Sequence, residues 1–316
     1  YVRDVDYVSG ASLAIRRGVW LELAGFDERY VPAYCEDADL CLRASSAGYR
    51  ILYQPFSQVI HLEGKSHGVD IGKGVKAYQA LNSRRLYDRW RDYLSVNGQN
   101  GERPWMNKDR RWIGRALVVD AVTPTPDRDA GSVAAFAQML ILRDLGYKIS
   151  FIPEDNFADV GTPTRLLQEE GIECVYGPYI CSVDEWLEKY GSTVDIIHVY
   201  RYKSVEKYYD IFKRYAPQAR IIYSNADMHS LRMDRQAAID GDADLAAEAA
   251  HVRELELRYH RSVDCSIVTS DVEAQLIAEE VPDANVCLLR WINEIVEPHP
   301  RWEDRKSTRL NSSHTD

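Results

Sequence analysis

The chain has 316 residues, room for two domains of ordinary size, with 45% hydrophobic and 28% charged residues. A net charge of −10 and a pI near 5.4 exclude the broad basic face of a nucleic-acid-binding protein, though not a local basic patch against a diphosphate. No apolar run approaches the roughly 18 residues of a membrane span, and nothing has the form of a signal peptide, so any membrane association is expected to come from a part outside this chain or from peripheral contact.

In chain order, residues 5–16 read as a strand, with Tyr7, Ser9 and Ala11 alternating against Val8, Gly10 and Ser12, followed by a short helix at about 18–24. The acidic stretch Tyr34-Cys35-Glu36-Asp37-Ala38-Asp39 then opens a helix, in which Leu40, Ala44 and Ala47 recur at helical spacing before Gly48. Acidic residues in a first turn are favoured by the helix dipole alone, without any function. Asp37 and Asp39 have an Asp-x-Asp form, but residues two apart on a helix project about 200° apart and cannot share one ion. Asp39 is expected to pair with Arg43, one turn on. Strands are predicted at 50–53 and 58–62, the second carrying His61. The loop Glu63–Gly68 has basic groups and glycine but matches no phosphate-loop pattern. A helix follows over 76–93, and a polar linker, with Trp105 and Trp112 to dock it, over 95–115.

From residue 116 the pattern becomes alternating short strands and helices. Strands are predicted at 116–120, 148–152, 173–176, 195–200, 220–224, 266–269 and 285–289. Helices are predicted at 132–145 (Val133, Phe136, Leu140 and Leu145 inward), 164–170 and 205–215. Ser182…Glu185 and Ser270…Glu273 are capping boxes, and Gly146, Gly171 and Gly191 are helix stops. The fold class is therefore α/β, with a parallel sheet covered by helices on both faces. The loop Val122–Ser132 leaves the first strand at the end where such sheets bind ligands and enters a helix. It lacks Gly-x-Gly-x-x-Gly, which disfavours a nicotinamide or flavin. Six cysteines without Cys-x-x-Cys spacing suit reduced thiols in the cytoplasm.

Two resemblances extend this reading. Val8-Ser9-Gly10-Ala11, Gly25-Phe26-Asp27-Glu28, Glu36-Asp37-Ala38-Asp39-Leu40, Gly48-Tyr49-Arg50 and Val59-Ile60-His61 resemble the C-terminal half of a family 2 glycosyltransferase of the GT-A fold, of the rhamnosyltransferase-like kind. The resemblance implies inverting transfer of a sugar from a nucleotide-sugar donor to a growing cell-surface glycan or lipid-linked acceptor. It makes Asp37 the base, Glu36 its neighbour or substitute, Gly10 and Asp27 substrate contacts, and His61 a ligand of the metal–diphosphate group. The cofactor implied is Mg²⁺ or Mn²⁺, its main ligands lying outside this chain. Arg89-Trp90 has Leu86 where processive relatives carry Gln, so processivity is not inferred.

The region 116–300 is similar to the Rossmann-like N-terminal, acceptor-side domain of a GT-B glycosyltransferase of the family 4 kind. The similarity rests on Asp129-Ala130-Gly131-Ser132, Leu145-Gly146-Tyr147-Lys148-Ile149 and the segment Asn225–Arg232. It implies His229 as a catalytic-site residue and Gly131, Asp227 and Arg232 as substrate contacts. The domain organisation expected is thus 1–94 partial GT-A, 95–115 linker, 116–300 GT-B-type and 301–316 tail. The Ser/Arg-biased tail looks like translated adapter sequence, and the chain reads as an inactive fragment of a tandem transferase. The alternative is a non-catalytic glycan- or protein-binding module on a degenerate transferase fold, which would have no need to keep Glu36, Asp37 and His61. An epimerase-like α/β enzyme is disfavoured by the missing glycine fingerprint.

Overall fold

The computed structural model describes residues 1–61, 74–98, 101–225 and 227–290. In the N-terminal part, a two-residue strand β1 (Arg3–Asp4) pairs antiparallel with β2 (Leu52–Tyr53). Arg50 clasps Asp4 through two hydrogen bonds of 3.0 and 2.8 Å beside this pair. The helices here are α1 (Arg17–Glu22), α2 (Glu36–Ser46) and α3 (Ala77–Leu94). Helix α2 buries Leu40, Cys41, Leu42 and Ala44, as its apolar spacing requires.

Two expected strands are absent. Residues 5–16 are irregular apart from a 3₁₀ turn at Gly10–Ser12, which the Ser9 hydroxyl caps. The alternation there sets one small or polar residue against another, so no apolar face holds a strand in register. Residues 58–61 also form no strand; Val59, Ile60 and His61 are exposed and pair with no strand among the described residues. Leu62 and the Glu63–Gly68 loop lie outside the described residues, as does the 301–316 tail.

The segment after α3 contains a four-residue helix, α4 (Pro104–Asn107). It is tied on both sides. Arg110 and Arg111 donate to Asp6, and Lys108 Nζ reaches Glu173 at 3.1 Å.

The rest is a seven-stranded sheet, parallel throughout. Its strands are β3 (Gly114–Asp120), β4 (Tyr147–Pro153), β5 (Glu173–Cys174), β6 (Ile196–Tyr200), β7 (Arg220–Ser224), β8 (Cys265–Val268) and β9 (Val286–Leu288). All seven predicted strands are present. The connecting helices are α5 (Ala130–Asp144), α6 (Thr162–Glu169), α7 (Val183–Tyr190), α8 (Tyr202–Tyr215), α9 (His229–Asp240), α10 (Ala243–Ser262) and α11 (Asp271–Glu280).

Successive side chains of a strand point to opposite faces, and β3 shows why both faces are covered. Leu117 and Val119 enter a core with α7, α8 and α10, whereas Ala116 and Val118 enter another with α5 and α6. On α5 the packed residues are Ala135 and Met139; Leu145, expected inward, is 61% exposed just past the helix end. Ser182 and Ser270 cap α7 and α11 as predicted. Gly146 and Gly171 end helices at φ 98° and 84°, but Gly191 sits at φ −55°. What Gly191 supplies is space, since a Cβ there would lie 2.6 Å from the Tyr215 carbonyl oxygen.

The strand order is β5-β4-β3-β6-β7-β8-β9, the Rossmann-like arrangement, and the direction of winding reverses between β3 and β6. A crevice at the C-terminal ends of strands β3 and β6 follows from that reversal. Among the described residues no helix is long and apolar enough to cross a membrane. All six cysteines are free thiols.

Candidate functional site

The acidic residues of α2 divide between two tasks. Asp37 Oδ2 accepts the Gly10 N–H at 2.7 Å, and Oδ1 accepts the Ala38 N–H at 2.8 Å. A Cβ on Gly10 would stand 3.3 Å from both Cβ and Oδ2 of Asp37, so glycine allows this approach. Beside it, Glu36 Oε2 is buried without a hydrogen-bond partner among the described residues. The chain enters α2 through Tyr34 and Cys35, both left-handed, at φ 76° and 74°. Two such non-glycine residues cost roughly 1–3 kcal/mol each and persist only where their surroundings impose them. Asn82 of α3 is one such constraint, since its side-chain amide donates to the carbonyls of Tyr30 and Ala33 at 2.8 Å.

Asp39 is wholly buried and accepts four hydrogen bonds. They come from Arg43 Nε and Trp90 Nε1 at 2.8 Å, Arg89 Nη1 at 2.9 Å and Tyr30 Oη at 3.1 Å. The Arg43 pairing is the one its spacing predicts. Arg89 also binds Asp27 at 2.8 Å, and Asp27 caps the 3₁₀ turn Glu28–Tyr30. The Arg29 backbone N–H, together with Arg89 and the Arg29 side chain, holds the Asp27 carboxyl down to about 2, against the smaller opposing effect of burial. Asp27 therefore joins α3 to the loop before α2. Arg89 and Trp90 act as internal ligands of Asp39, a role that neighbouring residues in the sequence do not disclose.

Asp37 and Asp39 thus face different partners, and His61 is exposed. Among the described residues no three His, Cys, Asp or Glu side chains converge on a metal site.

The second cluster lies at the C-terminal ends of β3, β6 and β7. Asp120, the last residue of β3, is buried and takes Arg201 Nε at 3.0 Å. Burial raises the Asp120 carboxyl above its ordinary value, although Arg201 opposes this. Arg201 follows β6 at φ 66°, another non-glycine residue held left-handed. Asp129 caps α5 by accepting the Ser132 N–H at 2.8 Å, with Gly131 in that first turn.

After β7, Asp227 pairs with Arg232 at 3.2 Å and with His229 Nε2 at 3.4 Å. Burial lowers the His229 imidazole below its ordinary value; Arg232, Arg201 and Lys203 add to this, and Asp227 opposes it. The structure therefore brings the sequence-predicted Asp227, His229 and Arg232 together. Beneath α9, the buried Glu256 carboxylate accepts the N–H groups of His229 and Ser230 at 2.8 and 3.3 Å. Under the crevice Gln138 Oε1 accepts the Tyr200 and Ser224 hydroxyls at 2.7 and 3.2 Å, and Ser224 meets His198 Nε2 at 2.7 Å. Asn225 Nδ2 is buried there without a partner among the described residues.

Sequence reasoning missed Asp120, Arg201, Asn225 and Glu256. For Asp120 and Arg201 a signal existed: each is a charged residue at the C-terminal end of an apolar strand run. Glu256 gave none, because it lies on α10, a helix the sequence reading did not place.

No family model matches the chain. It is similar to N-acetylglucosaminyl-diphospho-decaprenol L-rhamnosyltransferase of Mycobacterium tuberculosis, in both strain CDC 1551 / Oshkosh and strain ATCC 25618 / H37Rv. The identity is 37% over 87 residues, 28% of this chain and 28% of each relative. It is also 44% identical over 57 residues to rhamnosyltransferase WbbL of Escherichia coli (strain K12), covering 18% of this chain and 21% of that protein. The chain thus spans less than a third of the length of the curated relatives it matches and is partly homologous to rhamnosyltransferases.

Proposed function

We propose that this chain is part of a glycosyltransferase that moves a sugar from a nucleotide-sugar donor to a growing surface glycan, with Asp37 as the base. The observation that carries the reading is the Asp37 carboxylate, fixed by the Gly10 N–H at the start of α2 beside the unpartnered Glu36 Oε2. Each Asp37 oxygen accepts one backbone N–H and keeps a further lone pair for a proton. The acceptor hydroxyl gives its proton to Asp37 as its oxygen attacks the anomeric carbon. The nucleoside diphosphate leaves from the opposite face, so configuration inverts. The names of the partly homologous rhamnosyltransferases support sugar transfer as the reaction class.

In the same proposal the parallel-sheet region is the acceptor-side domain of a second, GT-B-type transferase. Gly131, Asp227, His229 and Arg232 would be its substrate-side residues, and the enzyme would work in the cytoplasm, peripheral at the membrane. A neutral imidazole beside Asp227 suits hydrogen bonding to sugar hydroxyls.

The test uses the full-length parent enzyme with a nucleotide-sugar donor and a lipid-linked acceptor. Asp37→Asn is expected to lower transfer about 10²- to 10⁴-fold, the usual contribution of a general base. Retention of transfer in Asp37→Asn with loss in Glu36→Gln would move the base to Glu36. Retention in both would remove this site from the chemistry.

A further inference from the structure

Beside the edge strand β5 lies a cavity of about 210 Å³ that belongs to neither cluster above. Its walls are aromatic: Trp186 and Tyr190 of α7, Tyr176 and Tyr179 of the loop before it, and Trp105 of α4. Trp186 is 6% exposed and forms the fixed base, its ring centroid 5.3 Å from that of Tyr190. Tyr179 and Trp105 stand at the mouth, 79% and 42% exposed. Charged groups share the lining. Arg115 ties down Trp105 by donating to its carbonyl at 3.2 Å and also bonds Thr193 Oγ1 at 3.0 Å. Lys108 and Glu173 pair at 3.1 Å.

We propose that this cavity binds one sugar ring of a glycan. A pyranose has a face of C–H groups, weakly positive, that packs on the negative face of an aromatic ring. Its hydroxyls project at the edge and need both donors and acceptors, which Arg115, Lys108 and Glu173 supply. A purely aliphatic ligand would leave those charges against apolar surface. A cation seated among the aromatic rings would meet Lys108 and Arg115. The flat apolar walls and the polar lining suit the two faces of a carbohydrate together. The site serves to hold a glycan chain, and its assignment does not depend on the sugar-transfer reading.

The experiment titrates the whole chain with methyl α-L-rhamnopyranoside and N-acetylglucosamine, with glycerol as a hydroxyl-bearing control without a ring. Binding is read by saturation-transfer NMR on the sugar C–H protons and by tryptophan fluorescence. At least one glycoside is expected to bind saturably in the millimolar range, and glycerol not at all. Tyr179→Ala and Trp105→Ala should each weaken binding about fivefold, the scale of one aromatic contact. Tyr179 is almost fully exposed, so its variant keeps the test valid if Trp105→Ala disturbs folding. Absence of saturable binding by either glycoside, or binding unaltered in Tyr179→Ala, overturns the proposal. Loss of transfer with this binding intact would fail the catalytic reading alone.

Discussion

Replacing Asp39 by alanine tests whether α2 is held from within. The substitution removes an acceptor shared by Tyr30, Arg43, Arg89 and Trp90 and leaves two guanidinium groups without their buried partner. Breaking a buried ion pair from one side costs about 3–5 kcal/mol. Two features place the expected loss at the lower end of that range. Arg43 keeps the carbonyls of Leu23 and Gly25, and Arg89 keeps Asp27. Their side chains are also 14% and 26% exposed, so water reaches both. A loss of about 3 kcal/mol corresponds to roughly 150-fold weaker protection against local opening. Segment-resolved hydrogen exchange is the suitable assay, since it reads α2 and α3 separately from the sheet. Amides of α2 and α3 are expected to exchange about two orders of magnitude faster, and those of β3 and β4 at the wild-type rate. Protection in α2 and α3 within about threefold of wild type would refute the idea that Asp39 organises this part.

Three further outcomes follow from the same geometry. Gly10→Ala puts a methyl group 3.3 Å from Asp37 and should lower transfer by the full-length enzyme roughly tenfold, with little change in exchange protection because Gly10 is exposed. Asp27, with its folded value depressed to about 2 from 3.8, contributes stability that is fully present above about pH 4 and lost as pH falls through about 2; Asp27→Asn should flatten that part of the pH profile of α3 protection. Arg201→Met leaves Asp120 buried without its partner and should cost about 1–2 kcal/mol at pH 7, a discounted figure because Arg201 is half exposed. Since the Asp120 carboxyl is raised in the folded state, and more so without Arg201, this deficit should shrink on acidification; urea midpoints at pH 7 and pH 5 give the comparison.

The sheet was legible because buried parallel strands write themselves as apolar runs between turn residues. Val118 and Val119 have no exposed side, so their pattern depends little on which strand lies alongside. The Ser182 and Ser270 caps and the Asp39–Arg43 pair were legible because their partners lie three or four residues away. What could not be read is contact at long range. Nothing near Asp39 announces that Trp90, 51 residues on, will donate to it. The strand expected at 58–62 shows the converse, a β-branched run that pairs with no strand among the described residues. The α9–α10 hairpin had a punctuation mark, Gly241 at φ 67° followed by the Asp242 cap, set within a long polar and alanine-rich stretch of weak apolar period.

The buried Glu256 under α9 changes what the start of this helix can offer. A helix start usually offers its free N–H groups to whatever anion arrives. Here His229 and Ser230 already spend theirs on Glu256, and Met228 donates to Glu273 at 3.0 Å. The positive end of the helix is insulated from the solvent side by the protein's own carboxylates. A group approaching this edge would meet the side chains of Lys203, Asp227 and Arg232 rather than the N–H groups of the helix start. The helix start and the side chains around it are therefore separable, and those side chains can be replaced one by one on an unchanged frame.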